Sequence, residues 1–375
     1  MRAYERVFLN LVRNALWNSP VTLPADFKEW KPVLRLAKEQ AMTALVAKAM
    51  MSRQDIVDSL PKNVVTKLRQ EMIDNLGVYS KSSCTLQVLV KALMETGVEP
   101  VLLKGLGLAQ LYPSPEVRQC GDIDLYVGVE DYRKSYDVLK AFADEIEDQS
   151  VLAEDGKHFH CTLACVPVEV HKYAEVYPSL MLDSIYQRYA SDGLSQGLVD
   201  VGFGDVKVHT PSDNFNAFYV FSHLWNHFLS GGVGLRQVCD WAVLLHSRAA
   251  VIDREYLRGV LSGMKLMVPW QTFGCIAVDV LGLKSDDFPF YDRKYKRKSE
   301  KVLRRIMNEG NFGQQTDFMR NPTKGYVYEK LFSLKCYVAR FFGLVWLFPS
   351  QAVLQIRHCI TNGFYRLVKD LAAKR

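Results

Sequence analysis

The sequence predicts an α+β fold, with a small mixed β-sheet core over 98–210 flanked by helical domains over 1–97 and 211–375. Three observations predict it. Apolar residues recur at three- and four-residue spacing through the first 97 positions. Short apolar runs and period-two alternation replace that pattern from Val98 to His209. After Pro211-Ser212-Asp213 the helical spacing returns and continues to the end, where the second domain carries a basic region.

In the first region, Met1 to Phe8 reads as the start of an amphipathic helix and not as a signal peptide. Trp30-Val33-Leu34-Leu36-Ala37 and Met42-Leu45-Val46-Ala49-Met50 each form one apolar helical face. A long periodic segment runs from Val64 through Leu93, with Ser82 and Ser83 in its middle, and Pro20, Pro24 and Pro61 mark turns. In the core, 98–103 reads as a strand and Lys104-Gly105-Leu106-Gly107 as the turn leaving it. A short helix is expected over 108–112, stopped by Pro113 and Pro115. A strand over 123–127 and a helix over 131–142 follow, with Asp131 near the helix cap. Segments 158–163 and 166–170 read as an antiparallel pair turning near Cys165-Val166-Pro167, and 206–209 as a last strand. Asp213 is the expected N-cap of a helix through Phe218, Phe221, Trp225 and Phe228.

Composition narrows the class. With 49% hydrophobic and 23% charged residues in 375, the chain has the profile of a globular protein with a sizeable core. The uncharged run 341–356 is broken by Pro349, Ser350 and Gln351 and is too short to cross a bilayer, so a cytoplasmic protein is expected. Its aromatic residues Phe341, Phe342, Trp346 and Phe348 read as core or as an interhelical contact. The eight cysteines include no CxxC pair and read as small, mostly buried apolar residues. Net charge is +6, but 291–375 holds 18 Lys/Arg against 6 Asp/Glu. The densest part, 293–305, offers a contact for a polyanion such as RNA; a solvated helix face is the simpler reading.

Gly121-Asp122-Ile123-Asp124-Leu125 carries the chemistry. Alternate side chains of a strand share a face, so Asp122 and Asp124 point one way while Ile123 and Leu125 point into the core. Two carboxylates so close repel each other unless a cation sits between them, and Mg²⁺ suits carboxylate and phosphate oxygens. Val168-Glu169-Val170-His171 repeats the alternation and adds a third carboxylate. Lys104-Gly105 follows a strand and opens a helix, where backbone N–H groups favour anions. Arg118 can clamp phosphate oxygens with its forked guanidinium.

Together, Leu103-Lys104-Gly105, Leu111-Tyr112-Pro113, Arg118, Gly121-Asp122-Ile123-Asp124-Leu125 and Val168-Glu169-Val170-His171 resemble the uncharacterised nucleotidyltransferase family of bacterial proteins, within the DNA polymerase beta-like superfamily. The resemblance is strongest over 98–171 and extends to His223-Leu224-Trp225-Asn226-His227 and Gly234-Leu235-Arg236-Gln237-x-x-Asp240. It implies that Asp122, Asp124 and Glu169 bind Mg²⁺, or Mn²⁺ in its place, and that Gly105 lies in the phosphate-binding turn. Lys104, Arg118 and His171 join Gly105 as the expected nucleotide contacts. His223, Arg236 and Asp240 are candidates for the acceptor side, although Arg236 and Asp240 at four-residue spacing read more simply as a helix-surface pair. Superfamily members carry Gly-Ser where this chain has Lys104-Gly105.

The expected reaction moves a nucleoside monophosphate from an NTP to a hydroxyl or phosphate of a protein, tRNA, sugar or metabolite. Two rivals stand beside it. One is a catalytically silent nucleotide-binding or scaffold protein, and the other an RNA-associated protein using the basic region. Zinc at His158, His160, Cys161, Cys165 and His171 is disfavoured, because Cys161 faces away from the two strand histidines and no structural zinc spacing fits.

Overall fold

The computed structural model describes residues 1–152, 156–177, 179–311 and 342–353. Helix α1 (Ala3–Trp17) starts where the Glu5 carboxylate accepts the Arg2 N–H and stops at Asn18 in the left-handed region. It packs with α2 (Trp30–Glu39) and α3 (Thr43–Met51), and the short α4 (Gln54–Ser59) packs on α3. Helix α5 (Lys62–Glu95) runs 34 residues, roughly 50 Å at the helical rise, straight through Ser82 and Ser83. Its first turns bury Val65 and Leu68 in the cluster that α1 to α3 build. Its last turns bury Leu86, Leu89, Val90 and Leu93 against the sheet.

Strand β1 (Val101–Leu103) leads directly into α6 (Gly105–Ala109). The helix expected over 108–112 therefore begins three residues earlier. Lys104 and Gly105 both take positive φ, 47° and 40°, which reverses the chain at the strand end and leaves no linking loop. A 3₁₀ turn, Pro115–Val117, carries the chain to β2 (Ile123–Tyr126). Helix α7 (Gly128–Lys140) starts at a glycine with φ of 76°, so Asp131 sits in the first turn and does not cap it. After β3 (Glu145–Ile146), strands β4 (His158–Leu163) and β5 (Val166–His171) form a hairpin. Its tight turn is Ala164-Cys165, both at positive φ, and not the later Cys165-Val166-Pro167. Helix α8 (Leu180–Gly193) leads to a second hairpin, β6 (Val199–Phe203) and β7 (Val206–Thr210).

The sheet has seven strands in the order β3-β4-β5-β2-β1-β7-β6. It is mixed, because β2–β5 and β1–β7 pair in parallel and the other neighbours are antiparallel. Strand β3 is too short to show an alternation; β6, absent from the expected strands, does alternate in Val199-Asp200-Val201-Gly202-Phe203. Ile123, Leu125, Phe159, Cys161, Val168 and Val170 project to one face, where α5 and α7 cover them with Leu89, Leu93, Tyr132, Tyr136 and Leu139. The polar partners of that alternation lie on the reverse face.

That reverse face meets the C-terminal helices α9 (Asp213–Ser230) and α10 (Leu235–Arg248), followed by α11 (Arg254–Gly263) and α12 (Met267–Cys275). Ser212 occupies the cap position of α9. Asp213, the expected cap, begins the helix and pairs with Arg248 at 3.1 Å. Trp225, Trp241, Trp270, Phe221 and Phe273 make an aromatic core continuous with the apolar faces of α1 to α3. Helix α1 and the segment after α12 are also joined by polar contacts: the Arg13 Nε and Trp17 indole N–H groups donate to the Val280 and Leu281 carbonyls.

Helix α13 (Lys296–Glu309) buries Val302, Leu303 and Ile306, while Lys301 and Arg304 face outward. The basic run is thus one face of an amphipathic helix. Phe348 packs against Trp225 at 4.8 Å, as expected of core, whereas Phe342 and Trp346 are exposed; Phe341 lies outside the described residues. Cys161, Cys239 and Cys275 are buried, but Cys84 and Cys165 are exposed; Cys336 and Cys359 lie outside the described residues. Among the described residues no helix is long and apolar enough to cross a membrane.

Candidate active site

Strand register brings the acids together. Asp124 on β2 lies beside Glu169 on β5 in the parallel pair, and Asp122 precedes β2 on the same side. One oxygen from each of Asp122, Asp124 and Glu169 lies within 4.8 Å of the others. Asp124 is buried at 2% exposure, while Asp122 opens to solvent. An all-oxygen set of this kind fits a hard divalent cation such as Mg²⁺ or Mn²⁺.

The charges around these acids decide their protonation. Leu103 pairs with Asp124 across β1 and β2, so Lys104 emerges next to that carboxylate, with Nζ 3.0 Å from Asp124 Oδ1. His171 Nε2 lies 3.1 Å from the same oxygen and 3.4 Å from Glu169 Oε2. Burial would push the Asp124 carboxyl up, but Lys104 and His171 hold it well below the usual carboxylate range. The His171 hydrogen bond likewise lowers Glu169. Burial disfavours a proton on His171, yet the hydrogen bonds to Asp124 and Glu169 raise its pKa. Asp122 goes the other way: although the residue as a whole is exposed, enclosure of its carboxyl at the cavity floor and the neighbouring Asp124 charge raise it. The less compensated negative charge is therefore on the Asp122 side, where a bound cation would relieve it.

The opposite wall belongs to α10. Asp240 accepts a two-pronged bond from Arg118, Nε to Oδ1 at 2.8 Å and Nη2 to Oδ2 at 2.9 Å, and the Tyr112 hydroxyl donates to Oδ1 at 2.7 Å. Arg118 and Asp240 are both buried. The surface pair expected between Arg236 and Asp240 does not form. The loop after α6 delivers Arg118 to Asp240 in the forked geometry that a carboxylate favours. Arg236 instead donates from Nη1 to the Gln119 carbonyl at 2.6 Å, and its buried Nε has no hydrogen-bond partner among the described residues. Burial and the Arg118 charge lower its pKa. Arg118, the expected phosphate clamp, thus spends its fork on Asp240, while Arg236 keeps donor capacity at the cavity wall.

A third side comes from α9. His223 and His227, one turn apart, meet Nε2 to Nε2 at 2.9 Å, and Lys104 Nζ lies 3.4 Å from His223 Nε2. Burial, Lys104 and His227 push His223 well below the ordinary imidazole range. Glu175, bonded to Lys157 at 2.7 Å, stands 4.0 Å from His223 Nδ1.

All ten residues singled out from the sequence line one cavity of about 460 Å³: Lys104, Gly105, Arg118, Asp122, Asp124, Glu169, His171, His223, Arg236 and Asp240. That volume suits a small-molecule ligand. Lys157, His158, Glu175 and His227 line it as well. His158 entered the sequence reading only as a disfavoured zinc ligand; the register set by the Ala164-Cys165 turn is what brings it opposite His171. Lys157 and Glu175 left no signal, since neither belongs to a periodic pattern.

A family model described as "Uncharacterised nucleotidyltransferase" matches residues 26–281, more than half of the chain. No curated protein matches the chain. One solved structure that resembles it is an antigenic nucleotidyltransferase-like protein from Paracoccidioides brasiliensis. The two are 17% identical over 57% of this chain and 97% of that chain, with a TM-score of 0.33.

Proposed function

The chain belongs to the uncharacterised nucleotidyltransferase family, and on that premise we propose that it transfers a nucleoside monophosphate from an NTP to a hydroxyl or phosphate acceptor. The observation that carries this reading is the convergence of Asp122, Asp124 and Glu169 within 4.8 Å at the floor of the cavity.

In this reading Asp122, Asp124 and Glu169 hold Mg²⁺ or Mn²⁺, which when bound supplies a Lewis-acid charge on the phosphoryl oxygens. Lys104 keeps Asp124 ionised and positioned. His171 orients Asp124 and Glu169 through Nε2. The acceptor oxygen forms a bond to the α-phosphorus while the bond to the pyrophosphate oxygen breaks. Glu169, held ionised, takes the acceptor proton and passes it to solvent. Arg236, at the cavity wall, contacts phosphate oxygens through its guanidinium, and Arg118 fixes that wall through Asp240. Gly105 supplies the turn that lets backbone approach the nucleotide.

A second reading, nucleotide binding without turnover, is favoured by one observation: the Lys104 ammonium already neutralises Asp124. Both readings meet in one experiment. Each NTP is supplied with Mg²⁺ and cell extract as the source of acceptor, and pyrophosphate release is measured. Release that disappears in Asp122→Asn and Asp124→Asn supports transfer. NTP binding with no release by the wild-type protein supports the silent reading. Release that persists in both variants removes the acids from the chemistry. The basic face of α13 is an accessory polyanion contact in either case, read by salt-dependent RNA binding.

A further inference from the structure

Beside the three acids lies a second set of ligand atoms of different chemistry. A ring nitrogen of His158, a ring nitrogen of His171 and a Glu169 oxygen all fall within 4.8 Å of one another. We propose that His158, Glu169 and His171 form a separate divalent-metal site, of two imidazoles and one carboxylate, that takes a borderline transition ion such as Zn²⁺, Co²⁺ or Fe²⁺.

The hairpin builds this set. His158 and His171 are direct cross-strand partners in β4 and β5, and Glu169 lies two residues before His171, on the same face. The rings of His158 and His171 lie 5.2 Å apart. Both histidines and Glu169 line the cavity, so an ion there is reachable and keeps open positions on the cavity side. His158 and Glu169 are partly exposed and His171 is buried, so the site has one fixed ligand and two that can adjust.

Two further features fit. His171 Nε2 faces Asp124 Oδ1 at 3.1 Å and Glu169 Oε2 at 3.4 Å, and a single N–H cannot point well at both. With a metal on Nε2, Asp124 keeps Lys104 as its counter-ion at 3.0 Å, so no buried carboxylate is stranded. Glu169 has a second oxygen, Oε1, turned toward His160 at 3.4 Å, so its carboxylate can serve this site and the neighbouring acids together. Donor type separates the two sites. Imidazole nitrogen favours the later transition ions, while the all-oxygen set favours Mg²⁺.

The site does not depend on nucleotidyl transfer, and its test uses no nucleotide. Full-length protein stripped with chelator is titrated with Co²⁺ in the presence of excess Mg²⁺, following visible d–d absorption and bound metal by equilibrium dialysis. The expected result is one Co²⁺ with imidazole-type absorption that Mg²⁺ does not displace. His158→Gln, on the cavity rim, is expected to weaken it by roughly tenfold or more, as loss of a metal's supporting groups commonly does. Asp122→Asn and His160→Gln are expected to keep it. Absence of Co²⁺ binding by the wild type, binding unchanged in His158→Gln, or binding lost in His160→Gln while His158→Gln retains it would each overturn the assignment. Failure of the transfer reading shows instead as missing pyrophosphate release, whatever the Co²⁺ titration gives.

Discussion

Lys104 Nζ sits 3.0 Å from Asp124 Oδ1, so the lysine that ends β1 is the internal counter-ion of the buried carboxylate on β2. The same ammonium stands 3.4 Å from His223 Nε2. Lys104 therefore links the sheet to α9 electrostatically, stabilising the charged form of one partner and disfavouring that of the other.

Lys104→Met tests this link. Burial and the lysine charge hold His223 low, so removing the charge leaves burial, His227 and His171 to depress it. An NMR pH titration of the imidazole signals is expected to show His223 shifting upward toward 6.5 in the variant. An unmoved His223 would mean that Lys104 does not govern the pair.

For the acids, Asp122→Asn and Asp124→Asn are each expected to lower transfer by roughly a hundredfold or more, since each removes a ligand from the proposed metal set. Their effects on stability differ. The folded pKa of Asp122 is raised, so its favourable contribution is full below the unfolded value of 3.8 and is lost as pH rises through the folded value. At neutral pH without metal, Asp122→Asn is expected to raise the melting temperature. Asp124, lowered by Lys104 and His171, contributes above its unfolded value, so Asp124→Asn is expected to lower it. Matching shifts of the same sign in thermal unfolding would contradict the charge pattern.

The Arg118–Asp240 pair is fully enclosed, and truncating one side leaves the other charge unpaired. Asp240→Ala is expected to destabilise by about 3–5 kcal/mol, and Tyr112→Phe by about 1 kcal/mol, in denaturant unfolding. Arg236→Ala is expected to raise KM for NTP with a smaller change in stability, because Arg236 makes no pair with Asp240. Equal destabilisation by Arg236→Ala and Asp240→Ala would show that Arg236 is structural.

Stability between about pH 5 and 8 is expected to follow the buried imidazoles. His223 and His227 have lowered pKa values, so their contribution is present above the unfolded value of 6.5 and lost as pH falls. His171 is raised, so its contribution is present below 6.5 and lost as pH rises through its folded value. The metal-free protein is expected to be most stable near 6.5, with the acid limb flattened in His223→Gln. Thermal unfolding across that range measures it, and an unchanged acid limb in the variant would exclude the α9 pair as its source.

Much of this was legible in the chain because it rests on local periodicity. Period-two alternation in Ile123-Asp124-Leu125 and Val168-Glu169-Val170 places apolar residues inside and carboxylates on the reverse face, whatever the rest of the fold does. The three- and four-residue spacing likewise defines α2, α3 and α5. Helix starts were less legible. Asp131 and Asp213 have the right chemistry for a cap, yet the glycine turn at Gly128 and the position of Ser212 set the boundary one to three residues earlier.

By itself the sequence determined which faces are apolar, which are acidic, and that the sheet lies between helical regions, since each follows from spacing within a few residues. Tertiary structure alone decided who pairs with whom. Asp240 bonds to Arg118, 122 residues away, and not to Arg236 one turn away, because the loop after α6 brings a planar fork into the buried wall. His158 meets His171 because a two-residue turn at Ala164-Cys165 sets the register. Charge pairing depends on distance and on the exclusion of water, and neither exists until separated segments are packed together.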